Sequence, residues 1–342
     1  MKQLTFGNSG LRISELCLGA ITFGDPRSFG TSAEESLRML GAFADAGGTF
    51  IDTAHLYAAG ESERLVGEFI SSDRHNYVVS TKYTPAREGG PRRAGNGRKN
   101  MLRSIDESLR RLNTDYIDVY WLHARDNETP WQEILRGLDD LVRMGKVLYV
   151  AVSDTPAWDI ARAHTLSELR GWSSFVGIQV EFSLVERSAE RDLFPMAAAL
   201  GLGVTAWAPL AAGVLSGKYA KPGSEPTRLQ ANGIPERSLR IAKLVSEIAA
   251  QVEATPAQVA LAWIQHQRVG QSRVIPILGA RTLEQLQQNL GCLDVKLTPE
   301  QLARLDAETR QPLGFPHEFL QSEMMRRFLS GGEPDALEGR HA

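Results

Sequence analysis

Four residues of this chain can move a proton and stand where apolar strands end: Asp52, Tyr57, Lys82 and His123. The stretch Phe50-Ile51-Asp52-Thr53-Ala54-His55-Leu56-Tyr57 runs from an apolar strand into a carboxylate and then a phenol. Strand side chains alternate faces, so Phe50, Asp52 and Ala54 share one face. A charge among inward-facing apolar residues is costly unless an opposite charge meets it. Tyr77-Val78-Val79-Ser80-Thr81-Lys82 ends on such a cation, and Tyr116-Ile117-Asp118-Val119-Tyr120-Trp121-Leu122-His123 ends on an imidazole. A phenol near pKa 10 is a poor acid at neutral pH, and each tenfold gain in its acidity takes about 1.36 kcal/mol. An ammonium at about 4 Å supplies roughly 4 kcal/mol at an intermediate effective dielectric. Lys82 is therefore expected to lower the pKa of Tyr57 by a few units. Asp52 would keep Lys82 charged and oriented, and His123 would donate to a carbonyl oxygen beside the phenol. The set suits protonation of a developing alkoxide. Taken singly, the residues read as well in structural terms: Asp52 and Lys82 as a rim ion pair, Tyr57 as a half-buried aromatic, His123 as a core histidine. Their meeting at the ends of successive strands favours chemistry.

Those ends converge only if the strands are parallel neighbours. Residues 2–13 suggest a small hairpin around Asn8-Ser9-Gly10. Strand-helix alternation follows: strands at about 16–19, 50–54, 77–82, 116–123, 147–153, 175–181, 203–208 and 274–278. The helices between them are at about 32–47, 62–70, 98–112, 130–144, 156–169, 188–200, 238–252 and 256–267, with one after the last strand at 282–290. Strands apolar on both faces, alternating with helices, mean a parallel sheet, and eight units favour its closure into a (β/α)8 TIM barrel. Gly19-Ala20-Ile21-Thr22-Phe23-Gly24 lacks the glycine spacing of a doubly wound dinucleotide fold. Gly/Pro-rich loops at 84–99 and 217–235 follow strand exits, where barrel enzymes keep substrate contacts. One domain is expected over residues 1–320, followed by a tail, 321–342, part of it without fixed structure.

Composition narrows the partner. With 42% hydrophobic and 23% charged residues and a net charge of −3, the chain reads as globular, with no basic field for nucleic acid or anionic lipid. Cys17 and Cys292 are far apart in apolar settings and suggest buried thiols, not a disulfide or a metal site. No apolar run reaches the length of a membrane span. A cytoplasmic location and a small-molecule partner are the expectations, with oligomeric state open. A metal-dependent barrel hydrolase would need clustered ligands, and His55, His75, His123, His164, His266, His317 and His341 form no His-x-His at a strand end.

Asp52-Thr53-Ala54-x-x-Tyr57, Ser80-Thr81-Lys82, Leu122-His123 and Ile275-Pro276-Ile277-Leu278-Gly279-Ala280-Arg281 resemble the aldo-keto reductase superfamily. Trp207-Ala208-Pro209-Leu210-Ala211-Ala212-Gly213-Val214-Leu215-Ser216-Gly217-Lys218-Tyr219 is similar to its branch of aryl-alcohol dehydrogenase-like enzymes and potassium-channel β subunits. The likeness covers residues 1 to about 320. It implies a barrel that binds NADPH (NADP+) in extended form, with Asp52, Tyr57, Lys82 and His123 as a catalytic tetrad and Tyr57 as general acid in carbonyl reduction. It also implies that Gly19, Ala20, Ile21 and Asp52 approach the cofactor, that Ser153, Asp154 and Gln179 meet the nicotinamide carboxamide, and that Trp207 stacks on the ring. Ala208, Pro209, Leu210, Ala211, Gly213, Ser216 and Lys218 would line the pyrophosphate, with Arg228 near it. Gly279, Arg281, Gln285, Gln288 and Asn289 would hold the adenosine end. Arg281 also precedes a helix N-terminus, which favours anions in its own right, so it suits a 2′-phosphate. Phe23 and Tyr83, with Tyr57 and His123, are candidate substrate contacts.

Two positions depart from the family pattern. Asp154 stands where asparagine is usual, and a carboxylate accepts from a carboxamide but cannot donate back. Phe182 replaces a common tyrosine. The alternative reading is an NADP(H)-binding regulatory or redox-sensing protein with little turnover, against which the presence of His123 argues.

Overall fold

Strands that are apolar on both faces need cover on both sides, and this chain supplies it by closing its sheet. The structure, a computed structural model, describes residues 1–24, 30–220 and 233–336. A hairpin of β1 (Gln3–Thr5) and β2 (Arg12–Ser14) comes first. The parallel strands are β3 (Cys17–Gly19), β4 (Phe50–Asp52), β5 (Val78–Tyr83), β6 (Ile117–Leu122), β7 (Val147–Ser153), β8 (Gly177–Glu181), β9 (Gly203–Trp207) and, after a short antiparallel β10 (Arg268–Val269), β11 (Ser272–Leu278). Each pairs with its neighbour in sequence, and β11 pairs with both β9 and β3, which completes an eight-stranded parallel barrel.

The two faces of the strands fill two separate cores. Cys17, Phe50, Val78, Val119, Trp121 and Ala151 pack inside the barrel. Their neighbours Leu18, Ile51, Val79, Tyr120 and Val152 pack outward against the helices. Phe6, just after β1, plugs the N-terminal end, with its ring centroid 6.0 Å from that of Phe50 and 6.3 Å from that of Trp121. A Cβ at Gly203 would lie 2.5 Å from the Phe6 ring, so only glycine lets the plug seat. With that end sealed by apolar side chains, polar groups gather at the other.

The helical layer consists of α1 (Ala33–Asp45), α2 (Glu61–Ile70), α3 (Arg98–Leu112), α4 (Trp131–Arg143), α5 (Ala157–Arg170), α6 (Leu193–Leu200), α7 (Glu236–Gln251), α8 (Pro256–His266) and α9 (Leu283–Leu290). The helix expected over 188–200 is shorter. Ser188–Glu190 is a separate turn, and α6 starts at Leu193, which leaves Pro195 in the first turn, where its missing N–H costs nothing. A further helix, α10 (Pro299–Thr309), lies outside the strand-helix alternation. Its signal is present in Thr298-Pro299-Glu300-Gln301, since Thr298 and Gln301 form a reciprocal capping box. Beyond it are two short exposed helices, α11 (His317–Gln321) and α12 (Glu323–Leu329). Among the described residues no helix is long and apolar enough to cross a membrane.

Candidate active site

Asp52, Lys82 and His123 reach the inside of the barrel by the same two-residue rhythm that fills its core. Asp52 follows Phe50 and Lys82 follows Ser80 and Val78 on the inward face, and His123 follows Trp121. Lys82 is wholly buried. Its Nζ donates to Asp52 Oδ2, to the Thr53 carbonyl at 2.9 Å, and to Tyr57 Oη at 3.4 Å. Burial alone would push the ammonium down, but the Asp52 carboxylate, and then Tyr57, more than offset this and leave Lys82 raised and charged. Asp52 is held in turn, since Ser80 Oγ donates to Oδ1 at 2.6 Å and Gln179 Nε2 at 3.2 Å.

Tyr57 comes from a turn, Tyr57–Gly60, rather than from a strand. That turn is clamped from behind. Arg111 donates to the His55 carbonyl at 3.1 Å and to the fully buried Glu63 at 3.0 Å, and Glu63 accepts from Thr81 at 2.7 Å. The phenol lies edge-on to His123, with ring centroids 6.1 Å apart. Its pKa is raised, against the expectation that Lys82 would lower it, because desolvation at this depth exceeds the opposing effect of the ammonium. His123 is pushed down to about 2, first by burial and then by the Lys82 and His55 charges. It is a neutral imidazole, and its buried Nδ1 has no hydrogen-bond partner among the described residues.

A cavity of about 240 Å³ opens at the ends of β7 and β8, with Ser153, Asp154, Gln179, Glu181 and Trp207 in its lining, and Gln179 links it to the cluster through Asp52. Ser153 and Gln179 are buried inward-facing residues of β7 and β8, and Trp207 is half-buried at the end of β9. Asp154 is more open and adopts a left-handed φ of 40°. Its Oδ1 accepts the Trp207 indole N–H at 3.2 Å. After Trp207 the backbone turns left-handed at Ala208, Ala211, Ala212 and Gly213. These turns close on themselves, since Ala211 N donates to the Ala208 carbonyl at 2.8 Å and Gly213 N to the Leu210 carbonyl at 2.9 Å. Pro209, Leu210 and Ser216 complete the loop, where Ser216 Oγ donates to the Gly213 carbonyl at 2.8 Å. Lys218 reaches back across it, and a Cβ on Gly213 would come within 2.6 Å of the Lys218 ammonium. The Lys218 ammonium suits a phosphate and the half-buried Trp207 indole suits a flat ring, so the residues present fit an extended dinucleotide.

The remaining expected contacts divide. Gly19 and Ala20 lie at the rim by β11, where Ala20 N donates to the Asp52 carbonyl at 2.8 Å and a Cβ on Gly19 would meet Ile277. Ile21 is exposed. Gly279 and Arg281 follow β11, and Arg281 N donates to Gln285 Oε1 at 3.0 Å. Gln288 is exposed, whereas Asn289 is buried and donates to the Gly279 carbonyl at 3.4 Å, a role in shaping the turn. Arg228 lies outside the described residues. Two expected substrate contacts do not reach the cleft. Tyr83 follows Lys82 and so faces outward, where it is fully buried and stacks on Tyr120 with centroids 5.3 Å apart. Phe23 is also fully buried, in the apolar layer under the helices. Conversely, the sequence reading does not single out Ser80 or the Glu63–Arg111 clamp. Ser80 is legible, standing two residues before Lys82 on the same face, while the clamp joins residues remote in sequence.

Comparison with known proteins agrees with this architecture. The model of the aldo/keto reductase family matches residues 15–309. An NADP(+) aryl-alcohol dehydrogenase of Phanerodontia chrysosporium is 35% identical, the match covering 92% of this chain and 87% of that protein. A norsolorinic acid reductase of Aspergillus flavus is 34% identical over 93% of this chain and 83% of its own length. An uncharacterized oxidoreductase of Bacillus subtilis is 35% identical over 90% and 95%. With the barrel, its polar C-terminal mouth and these matches together, the chain belongs to the aldo/keto reductase family of oxidoreductases.

Proposed function

We propose that this enzyme reduces an aldehyde or ketone to the alcohol with NADPH, reversibly, and that Tyr57 is the general acid. The observation that carries the reading is the buried line Asp52–Lys82–Tyr57, in which one ammonium touches both a carboxylate and a phenol inside the barrel. When bound, the cofactor supplies the hydride that reaches the carbonyl carbon. Every other requirement falls to side chains. Tyr57 Oη gives its proton to the carbonyl oxygen as negative charge grows there, and Lys82 stabilises the phenolate left behind. A phenol raised by burial is a weaker acid but keeps its proton at neutral pH, and the alkoxide that hydride addition creates is basic enough to take it. Asp52, fixed by Ser80 and Gln179, keeps Lys82 charged and aimed. His123, being neutral, can donate a ring N–H to the carbonyl oxygen without placing a second cation beside Lys82.

Ser153, Gln179 and Trp207 would hold the nicotinamide end, the loop from Ala208 to Lys218 the pyrophosphate, and Arg281 with Gln285 the adenosine end. The aryl-alcohol and norsolorinic acid activities named for the relatives make aromatic carbonyls the first substrates to try. The test is NADPH consumption with small aromatic aldehydes by wild type and by Tyr57→Phe. Turnover lower by about 10²–10⁴-fold in the variant, the range for a lost general acid, is expected. Equal rates for the two proteins would remove Tyr57 from its role.

A further inference from the structure

We propose that Asp154 makes this site discriminate between the redox states of its cofactor, favouring the oxidised nicotinamide, whose ring is positively charged, over the reduced ring, which is neutral. The inference rests on the cofactor reading above and adds to it a direction. Asp154 directly follows Ser153 at the end of β7, and its left-handed backbone turns it to the cavity mouth. The indole N–H of Trp207 donates to its carboxylate at 3.2 Å, so the charge is tied to the aromatic plate beside which a nicotinamide would lie.

The charges around this cavity do not balance. Among the described residues Asp154 has no ion-pair partner. Lys82 is the cation whose field it feels, but Lys82 already donates to Asp52 in a buried pair. His123 contributes no charge. Glu181, on the inward face of β8 and in the lining of the same cavity, adds a second carboxylate, raised by burial and then by the Glu186 and Asp154 charges. A cationic ring entering here meets negative charge that nothing else has neutralised, and a neutral ring gains little from it. Phosphates, riboses and adenine are common to both redox forms, so their contacts cancel when the two affinities are divided. What remains in the ratio is the charge of the ring against the charge of Asp154.

Calorimetric titration of the purified protein with NADP+ and with NADPH, at pH 8, tests this directly. Asp154→Asn keeps the shape and an oxygen to accept from Trp207 while removing the charge. The expected result is a ratio of dissociation constants, NADPH over NADP+, lower by about ten-fold in Asp154→Asn, equivalent to about 30 mV in the potential of the bound two-electron couple. A second measurement uses wild type alone: 1-methylnicotinamide, a cation, should compete for the site better than neutral nicotinamide. An unchanged ratio in the variant, or equal competition by the two fragments, overturns the inference and leaves the cofactor reading intact. Failure of wild type to bind either dinucleotide overturns both.

Discussion

Lys82 reaches Tyr57 from inside the barrel, with its Nζ 3.4 Å from the phenol oxygen and 5.0 Å from the ring centroid, while the same atom donates to Asp52. One ammonium thus contacts both a carboxylate and a phenol, and the two contacts can be separated by mutation.

Lys82→Met removes the ammonium and leaves Asp52 buried without its cation, a change that typically costs about 3–5 kcal/mol. The expected outcome is a large fall in the thermal unfolding midpoint together with lost turnover. Adding Asp52→Asn removes the stranded charge. The double variant should recover much of the stability and none of the turnover, a pattern that calorimetry and NADPH assays read independently. Recovery of neither would mean that the pair acts mainly as packing.

The depressed His123 makes stability depend on pH in a defined direction. In the unfolded chain the imidazole takes a proton below about 6.5, whereas the folded protein holds it neutral down to about 2. Between those values the unfolded state binds more protons, so His123 lowers stability progressively as pH falls below about 6.5, by at most about 1.4 kcal/mol per pH unit. His123→Gln should flatten that part of the profile when unfolding midpoints are compared between pH 5 and pH 7. A profile unaffected by the substitution would place the imidazole in water, not in the core.

Gly213→Ala strains the loop after β9 twice. Position 213 has a φ of 93°, and a Cβ there would strike the Lys218 side chain. A left-handed residue bearing a Cβ costs roughly 1–2 kcal/mol, and the flexible lysine must swing away. Affinity for NADPH should fall by about ten-fold, or about 1.4 kcal/mol, and the unfolding midpoint should drop by about a few degrees, as strain of that size requires. Fluorescence titration and thermal unfolding measure the two effects separately, and undiminished affinity would take this loop out of cofactor binding.

Arg281 follows β11 just before α9, whose N-cap is Thr282. If its guanidinium meets the extra phosphate that distinguishes NADP from NAD, Arg281→Ala should cut the preference for NADP by about ten-fold or more, in line with a charge-assisted contact of roughly 1.5–3 kcal/mol. Titration with both cofactors gives the ratio. Equal affinity of wild type for NADP and NAD rejects the assignment at once.

Much of this arrangement is readable along the chain because a strand repeats every two residues. That rule carries Asp52, Lys82 and His123 to the inside, and applied strictly it also turns Tyr83 outward, where the structure has it. Phe23 has no such guide, since it lies in a loop with no periodicity. The capping box of α10 is as legible as any helix start in the sequence, but strand-helix alternation draws attention away from a helix that belongs to no strand.

The amino-acid order by itself determined the parallel barrel and the identity of the groups at its mouth, because apolar periodicity and strand ends are local properties. Only the tertiary structure decided how those groups ionise. The phenol is raised rather than lowered, the imidazole is neutral, and the Asp154 carboxyl is raised, because each depends on the sum of desolvation and charge from residues that meet only when the sheet closes.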